Sequence, residues 1–392
     1  MTNLTTRIAL IFDDLKTWRH ELHQHPEVAY EEHQTSEFIA EKLQAWGLKV
    51  HRGLGGTGVV GILEQGDSLK KIALRADMDA LWIEEKNNLP YRSVHSGKMH
   101  ACGHDGHTAM LLGAARLLAE NPEFNGTVYF IFQPAEEGRA GAQQMIADGL
   151  FELFPADQVF GMHNFPGIPV GEFAICSGPL MAAFDCFEIQ LKGQATHAAM
   201  PHLGQDVIVA AAHLITALQT GVSRKINPAD SAVLSITQIH SGQTWNALPD
   251  KVMIRGTCRS FSPQIQQQLQ QHIETMTQSC ASAFNLQFEC VFNPENPGYP
   301  VTFNQAAETE LALLAAENVV GQHAIDRQPT PSMGSEDFAF MLQEKPGCYV
   351  WLGNGPEAGG CLLHNPHYDF NDDALPYGVA YWIQLVRLGL PV

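Results

Sequence analysis

Long apolar runs are missing from this chain. Nowhere do roughly 18 apolar residues follow one another, so no membrane span is expected. Basic residues are scarce: 23 Lys and Arg face 42 Asp and Glu, a formal net charge of -19. Nucleic acid and anionic membrane both need a cationic surface, so neither is expected as a partner. An anionic small molecule is not excluded, because it needs only a locally positive pocket. The start, Met1 to Trp18, has no apolar core segment and no small-residue cleavage site. The eight cysteines (Cys102, Cys176, Cys186, Cys258, Cys280, Cys290, Cys348 and Cys361) form no Cys-x-x-Cys and no dense framework. Buried thiols in a reducing cytoplasm are expected, not disulfides. Low-complexity segments and internal repeats are absent as well.

At 392 residues, 45% of them apolar, the chain predicts two domains. Helical periodicity runs from Leu15 to His25 and from about Glu31 to Trp46, which Gly47 stops. Apolar β-type runs follow at Gly58–Leu63, Lys71–Ala76, Thr127–Phe132 and Gln158–Met162. Alternating strands and helices imply an α/β layer structure with a largely parallel sheet. The pattern changes near Gly178-Pro179: strand, helix, two strands, helix and strand occupy Asp185 to Phe292, with Ser262 as N-cap and Pro263 at the first helical position. That βαββαβ order is ferredoxin-like. After a Pro/Gly linker at Asn293–Gly298 the first pattern returns, ending in a helix over Ala374–Leu388. The expected organisation is an α/β domain made of 1–180 and 294–392, interrupted by a lid domain over 181–293.

Polar residues recur just past apolar strands: Asp77 after one, Glu136 and Glu137 after another, His163 after a third. Ligands of open α/β sheets bind outside the carboxyl ends of the strands, so separate strands deliver these groups to one edge. Met99-His-Ala-Cys-Gly-His-Asp-Gly-His107 adds Cys102 and His104 at a helix start, and a late loop adds His364. Thiolate, imidazole and carboxylate are what a borderline divalent cation accepts, making Cys102, His104, Glu137, His163 and His364 the candidate ligands. His100 and His107 are possible substitutes, with His107 better read as a structural or orienting residue. Glu136 beside Glu137 suits a general base assisting water. A solvated acidic turn is the bland reading of that pair. Asp77 and Asp79 read as partners that orient a ligand histidine, or as turn residues. In the insert, His197 and Asn246 lie in loops and carry N–H groups able to meet an oxyanion. Arg255 and Arg259 share one strand face and suit a substrate carboxylate; a solvated face explains them equally well.

Together these stretches resemble a known family. The Met99–His107 motif, Gln133-Pro-Ala-Glu-Glu-Gly138, Gly161-Met-His163, His197-Ala-Ala-x-Pro201, Gly334-Ser-Glu-Asp-Phe338 and His364-Asn-Pro are similar to those of the amidohydrolase branch of metallopeptidase family twenty. That branch includes hippurate hydrolases, N-acyl-L-amino-acid amidohydrolases and auxin-conjugate hydrolases. The resemblance starts at Arg19-His-Glu-Leu-His-Gln-His-Pro-Glu27 and runs nearly end to end. It implies a zinc-exopeptidase-like fold with two divalent ions per subunit: zinc or manganese first, cobalt or nickel next. The ions would be held by the five candidate ligands, with Glu136 as the base. His197 and Asn246 would be carbonyl-oxygen donors from the lid. Asp77 is expected among the catalytic residues, and Arg255, Arg259 and Gly334 are the residues expected to bind substrate. It also implies a homodimer or higher oligomer formed through the lid. Aminopeptidases and carboxypeptidases of the wider family carry His-x-Asp where this chain has Asp77-x-Asp79.

The expected activity is metal-dependent hydrolysis of an N-acyl (acetyl or benzoyl type) L-amino acid by a cytoplasmic enzyme. The alternatives are a metallo-dipeptidase or carboxypeptidase and, from another class, a non-catalytic metal- or peptide-binding protein.

Overall fold

The structure is a computed structural model, and it describes residues 4–355 and 361–392. Two compact units divide the chain: Met1–Leu180 with Phe303–Thr330 and Asp337–Val392, and Met181–Thr302 with Pro331–Glu336.

The first unit is organised by an eight-stranded sheet. In spatial order its strands are Lys49–Leu54, Gly58–Gln65, Gly126–Gln133, Lys71–Asp77, Gln158–Phe165, Gly347–Gly353, Phe173–Ala174 and Ile325–Asp326. The four central strands run parallel and the first two are antiparallel additions. The whole of Gly126–Gln133 and of Gly347–Gly353 is buried, as expected of strands covered on both faces. Helix His104–Glu120 is buried along nearly its full length, with Leu375–Gly389 and Phe12–Gln24 packed on it. Because the central strands are parallel, their carboxyl ends share one edge. Asp77 pairs with Gln133, and Arg75 pairs with Gly161, which brings the Asp77 end level with His163.

One strand end and one whole strand differ from the sequence reading in ways that matter. The strand expected to end at Met162 continues to Phe165, so His163 lies within it, extended by parallel pairing with Gly347–Gly353. The edge strand Lys49–Leu54 had no apolar signature, since an edge strand with a solvated face has no continuous hydrophobic run.

The second unit holds a four-stranded antiparallel sheet in the order Ala232–Ser241, Lys251–Ser260, Ala183–Lys192, Gln287–Phe292. Helices Val207–Leu218 and Pro263–Ala283 cover it, giving the split βαβ order of a ferredoxin-like sandwich. Asp206 caps the first helix through the N–H groups of Ile208 and Val209, and Ser262 caps the second through Ile265. The stretch Val207–Lys225 is long and apolar enough to match a membrane span by composition. Its Val207, Ala210, Ala211, Leu214 and Leu218 nevertheless lie in the core of this unit. Its other face exposes Ile208, Val209 and Ala212 beside His213 and Thr216, and these polar residues with Ser223, Arg224 and Lys225 break the apolar run.

Candidate metal centre and active site

Each candidate ligand of the first unit is fixed by a local reason. Gly103 takes φ 94° immediately before helix His104–Glu120, and a Cβ there would fall 2.3 Å from Asn164 Oδ1. Only glycine allows that close approach, which turns Cys102 and His104 inward on either side. Cys102 Sγ lies 3.4 Å from His163 Nε2. Glu137 follows the buried strand Gly126–Gln133, and His364 reaches it from a loop, Nε2 to Oε1 at 3.1 Å. His364 is the most exposed of the five and is anchored by its N–H to the Ala101 carbonyl at 2.8 Å. One ligand atom each of Cys102, Glu137 and His364 lies within 4.8 Å of the other two, and the same holds for His104, Glu136 and Glu137.

The histidines are held by their other ring nitrogen. His104 Nδ1 lies 2.9 Å from the Asp79 carbonyl oxygen, and His163 Nδ1 lies 2.6 Å from the Asn164 carbonyl oxygen. A carbonyl only accepts, so both rings carry hydrogen on Nδ1, which leaves Nε2 as the atom a cation would take. His104 Nε2 is buried and makes no hydrogen bond. His107 is different: Asp77 Oδ1 lies 2.5 Å from its Nδ1, and Asn164 occupies its Nε2 at 2.7 Å. Both nitrogens are engaged, so His107 orients Asp77 and Asn164. His100 is buried in its own surroundings, with burial pushing its ring down to about 4.

The charge balance fits a cation. Burial, then Glu137, Glu136 and Asp77, push the Cys102 thiol well above its ordinary range. Burial opposes charge on His104, yet Asp77 and Asp79 outweigh it and lift the ring to about 10. The buried acids therefore favour protons on these two donors. A divalent ion would displace them, and the thiol, imidazole and carboxylate donors are those such an ion accepts.

Glu136 is buried, and its Oε1 accepts the Asp337 N–H at 3.4 Å. Asp77 and Asp79 are fully buried partners of the histidines, and Asp79 Oδ2 also accepts the Glu137 N–H at 2.9 Å. Sequence reading gave no role to Arg75, Glu32 or Asp337, the last quoted only inside the Gly334–Phe338 motif. The Arg75 guanidinium is fully buried, bonded to Gln133 at 2.8 Å, Asp77 at 2.7 Å and Asp337 at 3.1 Å. Removing one partner from such a buried set costs roughly 3–5 kcal/mol. An arginine in an otherwise buried parallel strand was the available signal.

In the second unit, His197 and Asn246 are neighbours: His197 pairs with Ala247, and the Ala198 N–H reaches the Asn246 carbonyl at 2.9 Å. The Ala199 N–H donates to His197 Nδ1 at 3.1 Å, so the neutral ring carries its hydrogen on Nε2, facing outward as a donor. Arg255 is taken by Glu188 at 2.6 Å and Glu295 at 3.4 Å. Arg259 is half-buried, bonds the Met333 carbonyl at 2.6 Å next to Gly334, and stacks over Phe184. It has no carboxylate partner among the described residues.

Comparison with known proteins gives this geometry a lineage. The chain is 39% identical over 383 residues to a hippurate hydrolase of Campylobacter jejuni subsp. jejuni, covering 98% of each. It is 43% identical over 358 residues to an N-acetyl-L-cysteine deacetylase of Bacillus subtilis, covering 91% of this chain and 83% of the relative. The solved structure of a dinuclear metal-binding peptidase from Bacillus subtilis superposes with a TM-score of 0.84 at 34% identity, covering 97% of this chain and 99% of that one. Residues 73–388 match the profile of Peptidase family M20/M25/M40, and the protein belongs to that family.

Proposed function

We propose that the protein is a metal-dependent amidohydrolase that cleaves N-acyl L-amino acids into a carboxylate and a free amino acid. The observation that carries this reading is Glu136, a buried carboxylate with an oxygen within 4.8 Å of a ligand atom of His104 and of Glu137, two of the five candidate ligands Cys102, His104, Glu137, His163 and His364. The names of the hippurate-hydrolysing and N-acetylcysteine-deacetylating relatives support the substrate class. Two divalent cations held by those five side chains would supply Lewis acidity toward water and the scissile carbonyl. Glu136 takes the proton of the attacking water and returns it to the leaving amine nitrogen. His197 donates its Nε2–H, and Asn246 its amide N–H, to the developing oxyanion. Asp77 keeps the histidines in place, and Arg259, beside Gly334, takes the substrate carboxylate, a role for which Arg255 is less free.

The same reading includes a homodimer in the cytoplasm. Ile208 and Val209 are exposed on one face of their helix, and Ala232–Ser241 is an open sheet edge of the same unit. An apolar helix face and an open strand edge in one unit suit pairing with a second copy.

The test is a panel of N-acyl amino acids on metal-stripped protein reconstituted with Zn²⁺, Mn²⁺, Co²⁺ or Ni²⁺. N-benzoylglycine is set against Gly-Phe to separate an amidohydrolase from a dipeptidase. No turnover with any metal favours a binding protein. Glu136→Ala should keep its metal and lose turnover by about 10²–10⁴-fold; a parent rate there sinks the base assignment.

A further inference from the structure

The turn carrying Glu136 and Glu137 is built from conformations its residues disfavour. Ala135 sits at φ 54° and Ala140 at φ 52°, both in the left-handed region, with Gly138 between them at φ 72°. An alanine side chain gives no reason to occupy that region. The backbone must be held from outside, and three carboxylates hold it. Glu32 Oε1 accepts the Ala135 N–H, Asp79 Oδ2 accepts the Glu137 N–H, and Asp337 Oδ2 accepts the Ala142 N–H, each at 2.9 Å.

These three ties are not equivalent. Asp79 also touches His104, and Asp337 also binds Gln133 and Arg75, so their removal disturbs several groups at once. Glu32 is fully buried at the entry to helix His33–Ala45, and its other oxygen accepts the Thr57 hydroxyl at 2.7 Å. Its side-chain bonds reach the turn without touching the five ligands. Ala135 directly precedes Glu136, so whatever fixes the Ala135 peptide fixes the direction in which Glu136 leaves the chain.

We propose that Glu32 is a positioning residue for hydrolysis: it grips the Ala135 N–H and thereby aims the Glu136 carboxylate. Glu32 itself meets neither substrate nor metal. The proposal rests on the reading of Glu136 as the base. A misplacement of about 1 Å in a catalytic group lowers rates by about 10²-fold, which sets the expected effect.

The experiment compares the parent with Glu32→Ala, Glu32→Gln, Glu136→Ala and the double variant Glu32→Ala/Ala135→Gly. All are reconstituted with Zn²⁺ or Mn²⁺ and assayed on N-benzoylglycine or the best substrate of the panel. Metal per chain and hydrogen exchange of the 133–142 segment are measured alongside. Glu32→Ala should lower kcat about 100-fold with KM and metal content near the parent's, and exchange at Ala135 should quicken. Ala135→Gly in that background should recover about tenfold in kcat, because glycine adopts positive φ without steric cost. Glu32→Gln keeps the volume and one acceptor oxygen, should fall between, and decides the matter if the alanine variant does not fold. Parent kcat in the Glu32 variants overturns the proposal, and so does a kcat loss that only tracks lost metal. Failure of the glycine to recover activity overturns the route through Ala135. Glu136→Ala separates the two readings. Turnover retained there sinks the base assignment itself, whereas turnover lost there with parent rates in the Glu32 variants sinks positioning alone.

Discussion

Asp79 meets His104 twice, through its main-chain oxygen at 2.9 Å and its carboxylate at 3.2 Å, both at Nδ1. The main-chain contact alone fixes the tautomer, so the carboxylate is free for a second task, the Glu137 N–H. One residue thus braces two candidate ligands that come from different elements. Asp79→Ala keeps the carbonyl contact and loses the brace. Metal affinity should fall about 10–100-fold in a chelator competition; an unchanged affinity would remove Asp79 from ligand positioning.

Two glycines with similar backbones should respond differently to alanine. Gly103 is at φ 94° with Asn164 Oδ1 and Tyr368 Oη 2.3 and 2.7 Å from an added Cβ, whereas Gly97 is at φ 77° with open space around it. Gly97→Ala should cost about 1–2 kcal/mol of backbone strain and keep its metal. Gly103→Ala adds overpacking of about 1–3 kcal/mol and should also lower metal stoichiometry. Urea unfolding and metal analysis of the two variants check this, and equal losses would refute it.

Arg259→Met tests recognition of the substrate carboxylate. A charge-assisted hydrogen bond contributes about 1.5–3 kcal/mol, so KM for an N-acyl amino acid should rise about 10–100-fold. The matching N-acyl amino acid amide should be unaffected. A parallel rise for both would assign Arg259 to the packing of its loop, through Met333 and Phe184.

His23 links stability to pH. Its ring is buried between Asp105 at 2.8 Å and Glu85 at 3.4 Å. Burial opposes the charge, but those bonds outweigh it and raise the group from 6.5 to about 9. The folded state keeps a proton that the unfolded chain releases, so the contribution is complete below pH 6.5 and gone above about 9. It amounts to on the order of 3 kcal/mol. His23→Gln should flatten the unfolding free energy across that window in denaturant titrations. The same slope in parent and variant would exclude His23 as the linked group.

Much of the site was readable because parallel strands end at one edge. Asp77, Glu136 and Glu137 each follow an apolar run, and the sheet order alone brings them together. His104 opens its helix and His107 lies three residues further in, with both ring nitrogens engaged by Asp77 and Asn164. Glu32, Arg75 and Asp337 were not readable as support for the site. Glu32 sits in an ordinary acidic stretch before a helix, and its partner Ala135 lies 103 residues away. Hydrogen bonds of that reach leave no periodicity in the sequence. The different surroundings of Arg255 and Arg259 were equally hidden, since the strand alternation treats them alike and only Glu188, on the neighbouring strand, tells them apart.

The bond from Asp337 to Glu136 spans 201 residues, and the whole second unit is threaded between its ends. Closing so long a loop is slow. A ribosome-bound chain that has emerged only through the second unit already carries Cys102, His104, Glu137 and His163, but neither Asp337 nor His364. The order of synthesis therefore leaves the Asp337 tie to the Glu136 turn, and His364 with it, to the last segment made.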